Sequence, residues 1–588
     1  MGARLILAAH ATLAAAALLY AAHARRKRIT SSPVVCWLQG ALRLRDNATI
    51  SRAVAGHPSA LAVVFCCAPG SPRTAAQAFA MVAARALDDK LRTHCSRLTL
   101  LHANDHTEAV AAVAAFAVEI GAAVVVVDAC ESSGIDDADA LRGVLVSHGS
   151  DVHVVTEADD ALMLPLEVSI KALGRCKAGG KVLRWPSFLR TADDAVPTPR
   201  PCPPKLPPPP EARLTDAPLH LGRWARTMLS QWPTVSEEEA MILARAAGAR
   251  AEGGELKSLG EPAPAGSNGP CEQGPVASCE PPKDGSGGVA VASKLSPYLR
   301  WGVISARDCA AAGVRKRDLL WRDWSRVSWR LSAPLRRGDP VVQPLDGVCL
   351  AARGSDGRPI TSDGCFGRIG EWTQAEAFLA WCVGGTGAPV VDAGMRQLWL
   401  TGWMPRGVRL LVAACLVEGL GLDWRLGRDW FALTLIDHDF AINEAMWQNA
   451  GLCGIDPFYR GLRWEISQPN ELESYADYIK EWLNVDLHWP AALEFVSDGV
   501  SSFLPLRAAA HEPRPPSDQV AAFASMRRVT LRRAFRAAGK VSMAGVRVDF
   551  NGGTGETLAV GRQAAADVVA RALGSQRRHP DSSKGARS

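Results

Sequence analysis

The stretch from Gly384 to Arg463 constrains the fold more than any other part of the chain. It is apolar and dense in tryptophan, with Trp399, Trp403, Trp424, Trp430 and Trp447. Asp437 and Asp439 sit inside an apolar run, and Arg409 lies upstream on another apolar segment. Burying an unpaired carboxylate is expensive, so these acids require a cation or hydrogen-bond donors, and Arg409 can be that cation. Asn443 follows Asp439 by four residues, a spacing that puts both on one helix face. On residue types alone, the grouping is a buried structural ion pair or a functional site.

The order of the residues narrows this. The segment runs T-G-x-P-x-V-D-A-x-M-R-Q-L-x-x-T-G-W-M, then D-W-R-x-G-x-x-W-F, then D-x-D-x-A-x-N-x-x-x-W. It resembles the flavin-binding core of the cryptochrome/photolyase family. The resemblance implies an all-α C-terminal domain holding a U-shaped FAD. It places the Arg–Asp pair beside the flavin on Arg409 and Asp437, the second acid on Asp439, and the residue facing flavin N5 on Asn443. It starts a tryptophan electron relay on Trp447, continues it on Trp424, and leaves the outermost member to Trp372 or Trp381. Taken singly, each of these indoles is equally a core aromatic. Upstream, Ser293-Lys-Leu295-Ser296-Pro-Tyr-Leu-Arg-Trp-Gly302 resembles the family's phosphate-binding segment. Ser293, Leu295 and Ser296 carry over, and Ala292 replaces a threonine. Small hydroxyls and N–H groups at a helix start suit a diphosphate; without the resemblance they read as an ordinary N-cap. Asp318-Leu-Leu-Trp321-Arg322-Asp323 resembles a further family helix and makes Arg322 a neighbour of the cofactor.

The departures from the pattern bear on activity. In the family's repair enzymes a Glu, a Trp, an Asn and a second Trp line a pocket for a flipped pyrimidine dimer, and flipping needs stacking walls and hydrogen bonds. Those positions are Asp318, Trp321, Arg406 and Asn449 here. Losing one aromatic wall removes about 1–3 kcal/mol of base stacking. Arg406 also falls beside the cofactor residues. The expectation is a blue-light photoreceptor that photoreduces FAD through the relay. A DNA photolyase that repairs pyrimidine dimers, and a binding module without light chemistry, are the alternatives.

Residues 33–159 alternate short β-branched runs (Pro33–Leu38, Leu61–Cys67, Leu98–His102, Ala122–Val127, Asp151–Thr156) with helical stretches (Thr74–Leu87, Thr107–Ile120, Ala138–Ser147). That alternation predicts an α/β domain with a doubly wound, Rossmann-like parallel sheet. Its opening, CWLQGALRLRDNATISRAV, resembles the family's first strand and turn, and Asp46-Asn47 is expected to cap the next helix. No G-x-G-x-x-G follows the first strand, so the sheet is no evidence for NAD. The segment after Val127 lacks the family's usual aromatic and basic residues, and the antenna chromophore is left unassigned. A proline-rich connector over 160–215 leads to the helical domain over 216–495. That domain includes a helix over Ser236–Ala247 and a Gly/Pro/Ser-rich insertion at 250–288 expected to be disordered.

The ends are distinct. Residues 1–32 are apolar from Leu5 to Ala24 and then basic, Arg25-Arg-Lys-Arg28. This reads as an organelle-targeting leader for a plastid or mitochondrion, as a membrane anchor using residues 5–24, or as a nuclear signal. The 15 Cys show no C-x-x-C or metal spacing, so an intracellular protein with reduced thiols and no metal site is expected. The extension over 496–588 turns basic at its end: residues 511–588 hold fourteen Lys and Arg against six Asp and Glu, whereas the whole chain carries only +6. A stretch at Arg527–Arg536 can meet DNA phosphates or be a solvated helix, and the tail is the place for signalling partners.

Overall fold

The computed structural model of the 588-residue chain describes residues 32–68, 72, 74–128, 134–157, 162–176, 188–189, 196–210, 221, 223–232, 234–252, 293–341, 378, 381–382, 384, 386, 389–419, 422–451, 453–454, 475–483, 540–543 and 546–549. The N-terminal apolar segment, Ala292, Trp372, nearly all of the 250–288 insertion and the Arg527–Arg536 stretch lie outside the described residues.

Five parallel strands form the first layer: β1 (Val34–Leu38), β2 (Leu61–Cys67), β3 (Leu98–His102), β4 (Val124–Asp128) and β5 (His153–Glu157), in the order β3-β2-β1-β4-β5. Between them run α1 (Ala48–Val54), α2 (Ala75–Thr93), α3 (His106–Glu119) and α4 (Gly134–Ser147). The chain winds outward from β1 in both directions, as the alternation predicted. β4 and β5 start two residues later than their apolar runs suggested. α2 runs six residues past Leu87, because Asp88 accepts from Arg92 one turn on and from the backbone N–H of Leu98. Thr74 and Gln77 close a capping box at its start. Asn47 alone caps α1, accepting from Ile50 N. Asp46 has another use, described below.

Strand alternation sorts the two faces. Val35, Trp37, Ala62 and Val64 pack against α3 and α4. Val34, Cys36, Leu38, Leu61, Val63 and Phe65 face the other way, into a core that continues through Met163, Phe188, Trp232, Tyr298, Trp301 and Trp324. That second core is shared with the helical region, so the sheet and the helices are packed on each other.

The helical region contains α5 (Leu166–Cys176), α6 (Arg223–Leu229), α7 (Glu237–Glu252), α8 (Ser296–Arg300), α9 (Ala306–Ala311), α10 (Lys316–Leu331), α11 (Ala333–Arg337), α12 (Pro389–Thr401), α13 (Arg406–Ala414), α14 (Trp424–Thr434), α15 (Phe440–Ala450) and α16 (Ala476–Leu483). A two-stranded antiparallel ribbon, β6 (Lys540–Met543) with β7 (Val546–Asp549), lies in the tail. Among the described residues no single helix is long and apolar enough to cross a membrane; the apolar pair α12 and α13 is bent by 120°.

Buried charges tie the layers together. Asp46 is fully buried and pairs with Arg307 of α9 at 2.7 Å, and it also accepts from the backbone N–H of Arg200. Arg43 donates to the carbonyl of Gly302. Gly302 has φ +59, and a Cβ there would lie 2.0 Å from the carbonyl oxygen of Gly40, so only glycine permits this approach. Asp323 of α10 accepts from the N–H groups of Met163 and Leu164. Burial pushes its carboxyl up to about 6, against the lowering effect of those two N–H groups, Arg322 and Arg326.

Candidate functional site

The turn from Leu435 to Asp439 joins α14 to α15 and carries both acids of the sequence motif. Arg409, in the first turn of α13, reaches it with a bidentate pair: Nη1 to Asp437 Oδ1 at 3.0 Å and Nη2 to Oδ2 at 2.7 Å. Its Nε donates to Met404 O, which fixes the guanidinium plane. The Asp437 side chain is 2% exposed. The Nη1/Nη2 edge of the guanidinium is therefore spent on this carboxylate and Nε on the backbone.

Asp439 is the N-cap of α15. Its Oδ1 accepts from Ala441 N and Ile442 N, and its Oδ2 accepts from Arg326 Nε at 2.7 Å. Burial alone would raise this carboxyl, but Arg326, Arg300 and Arg322 outweigh burial and hold it well below the usual range. One turn on, Asn443 donates Nδ2 to the carbonyl of Arg428 at 3.0 Å. That bond orients the amide and leaves Oδ1 as its remaining acceptor. His438, between the two acids, was not singled out from the sequence, because the motif leaves its middle position open. Burial, then the Arg300 guanidinium, pushes its imidazole down to about 4.

The upstream segment is brought to the same place. Arg300 Nε donates to His438 O, and Trp301 Nε1 donates to Ile436 O at 3.2 Å. Ser296 Oγ accepts from Trp403 Nε1 at 2.9 Å, which leaves its own proton to donate elsewhere. Ser293 Oγ accepts from Leu295 N, Lys294 takes a left-handed φ of +53, and Leu295 is buried. α8 is only five residues long and has no side-chain cap, so the ordinary N-cap reading of these serines does not hold. Arg322 Nη2 donates to Leu299 O at 2.6 Å and so braces α8 against α10. Arg300 and Trp301 thus fasten this segment to the Leu435–Asp439 turn, and hydroxyl, amide and ion-paired groups are the donor and acceptor types that suit a dinucleotide.

The indoles expected to form the relay lie among packed aromatic rings. Trp447 is buried and meets Phe431 at 5.1 Å and Trp381 at 6.1 Å, edge to face. Trp381 donates Nε1 to Val412 O and stacks with Phe378 and Phe431. Phe378 meets Trp430, which stacks on Trp399 at 6.1 Å. Trp381, one of two choices the sequence left for the outermost place, is thus in direct ring contact with Trp447. Trp424, expected second, lies beneath the guanidinium groups of Arg425 and Arg428, at 4.5 and 5.4 Å. Two cations over an indole disfavour a further positive charge on it.

The residues matched to the dimer pocket are also altered. Asp318 is half-exposed and paired with Arg315 at 2.8 Å. Trp321 packs on Trp324, and the exposed guanidinium of Arg406 stands 5.5 Å over its ring. Arg406 thus stands over Trp321, a second residue matched to that pocket. Asn449 is 1% exposed, with its Oδ1 against Gly454, so it forms no open wall.

Two stretches of the chain are similar to known proteins. Residues 34–172 match the family profile described as DNA photolyase, and residues 357–494 match the FAD binding domain of DNA photolyase. The chain is 35% identical over 207 residues to a deoxyribodipyrimidine photo-lyase of Vibrio cholerae, covering 32% of this chain and 39% of that protein. It is 32% identical over 224 residues to cryptochrome DASH of Danio rerio, covering 35% and 38%. The matched stretches thus span under two-fifths of these relatives' lengths. In fold, the chain resembles a bacterial class III photolyase from Agrobacterium tumefaciens, with a TM-score of 0.58 at 22% identity, over 86% of this chain and 98% of that one. Residues 34–172 and 357–494 thus belong to the DNA photolyase and FAD binding domains of the photolyase family, on a parallel sheet packed on a helical region.

Proposed function

We propose that this protein is a blue-light photoreceptor of the cryptochrome type. Bound FAD supplies the blue absorption and, once excited, the capacity to take one electron from a neighbouring group. Arg409, Asp437, Asp439 and Asn443 would hold the cofactor, and Ser293 and Ser296 would meet its phosphates. Trp447 is the electron donor, and the positive charge left on it passes to Trp381 across their edge-to-face contact. Packing among Phe431, Phe378 and Trp381 keeps water from this path. The changed charge then biases a two-state element, for which the basic tail is our choice.

The observation that carries the photoreceptor reading over repair is Asn449. The resemblance puts a stacking tryptophan there, and this chain has a buried amide. Illumination of the purified chain should bleach the oxidised-flavin band. Trp447→Phe should abolish this bleaching, and Trp381→Phe should slow it by at least about tenfold. Trp424→Phe should slow it less.

Repair is the second reading. It is favoured by Trp321, which keeps an aromatic wall, and by relatives named deoxyribodipyrimidine photo-lyase. DNA phosphates would then be met by the basic tail. Light-dependent restoration of dimer-containing DNA by the full chain would decide for the enzyme.

A further inference from the structure

His438 lies in the Leu435–Asp439 turn and is 6% exposed. Its backbone is held on both sides: its N–H donates to Leu435 O, and its carbonyl accepts from Arg300 Nε. The flanking carboxylates are engaged elsewhere, Asp437 by Arg409 and Asp439 by Arg326 and two backbone N–H groups. The ring touches Phe440 edge-on at 4.8 Å, a carbon surface that satisfies neither nitrogen. Neither ring nitrogen has a hydrogen-bond partner among the described residues. Nor is either among the fully enclosed polar atoms without a partner, so the ring nitrogens of this largely buried side chain face space that a ligand or water can fill.

We propose that His438 is a further residue of the cofactor site, its imidazole hydrogen-bonded to the bound flavin. The inference rests on the FAD reading of this site and deepens it. A neutral imidazole presents one donor and one acceptor. The pyrimidine edge of a flavin presents both kinds of group in return. Burial and Arg300 keep the ring neutral, against the opposite pull of Asp439 and Asp437, so both functions are present at neutral pH. The middle of the D-x-D motif is thus a tuning position, where histidine adds a hydrogen bond that an aliphatic residue cannot make.

The test uses the full chain stripped of FAD and titrated with it. His438→Phe keeps a ring and removes both nitrogens; His438→Gln keeps a donor and an acceptor. The dissociation constant of FAD should rise about tenfold in His438→Phe and stay within about threefold of wild type in His438→Gln. Nuclear magnetic resonance of the isotope-labelled histidine ring nitrogens gives a readout free of folding defects. The signal missing from the His438→Gln spectrum should shift when FAD is added to the wild type. An unmoved signal overturns the proposal, and so does a His438→Phe affinity equal to wild type. Arg409→Ala separates the two levels of inference. FAD binding unaffected by that change sinks the FAD reading of the site, whereas loss in Arg409→Ala beside wild-type affinity in His438→Phe sinks the histidine alone.

Discussion

Arg409 illustrates how one side chain is committed by its partner. Its guanidinium is 23% exposed, but the Asp437 side chain it holds is 2% exposed. Arg409→Ala leaves that carboxylate buried without a cation, and should cost about 3–5 kcal/mol, read as a lower urea midpoint. Arg409→Lys should recover only part of the loss, since an ammonium cannot form the two-bond fork. His438 gives the turn a pH response. Its imidazole titrates near 4 in the fold against 6.5 when unconstrained. The unfolded chain therefore takes up a proton first as the pH falls. Stability is complete above about 6.5 and is lost progressively down to about 4, by at most on the order of 3 kcal/mol. Asp439, held low in the fold, acts with the same sign further down: its contribution is present above 3.8 and falls away below it. Unfolding free energy of the FAD-free chain measured against pH should show this slope, and His438→Gln should flatten its upper part.

Between elements, close packing decides which tryptophans touch. α14 and α15 approach so tightly that a Cβ on Gly427 would sit 2.0 Å from Trp447 Cη2, and one on Gly451 2.4 Å from Trp424 Cδ1. Gly427→Ala must push the Trp447 ring or part the helices. It should cost about 1–3 kcal/mol in thermal unfolding and slow flavin bleaching, because the Trp447–Trp381 contact is disturbed. That this region is helical was implied by the resemblance of its motifs to the family. Which indoles touch was not, because Trp381 and Trp447 lie far apart in the chain and meet only when α13, α14 and α15 are assembled.

At the scale of the molecule, the sheet and the helical region share a core and a set of buried charges. Arg307→Ala leaves the fully buried Asp46 without its guanidinium. We expect a loss of about 3–5 kcal/mol, and a calorimetric transition that splits in two where the wild type shows one. Asp46 had been read as a helix cap from its place before α1, a local rule that holds for Asn47. A partner 261 residues away outweighed it.

The division follows from the range of the forces. Period-two spacings and caps act over a few residues, so the parallel sheet could be read from the chain alone, while the helical region and the Arg409–Asp437 pair followed from the resemblance of an ordered motif. Ring order around Trp447, the cations above Trp424, the burial of Asn449 and the partnerless ring of His438 arise between segments remote in sequence. Distance, burial and competition for hydrogen bonds settle those, and they exist only once the chain has closed on itself.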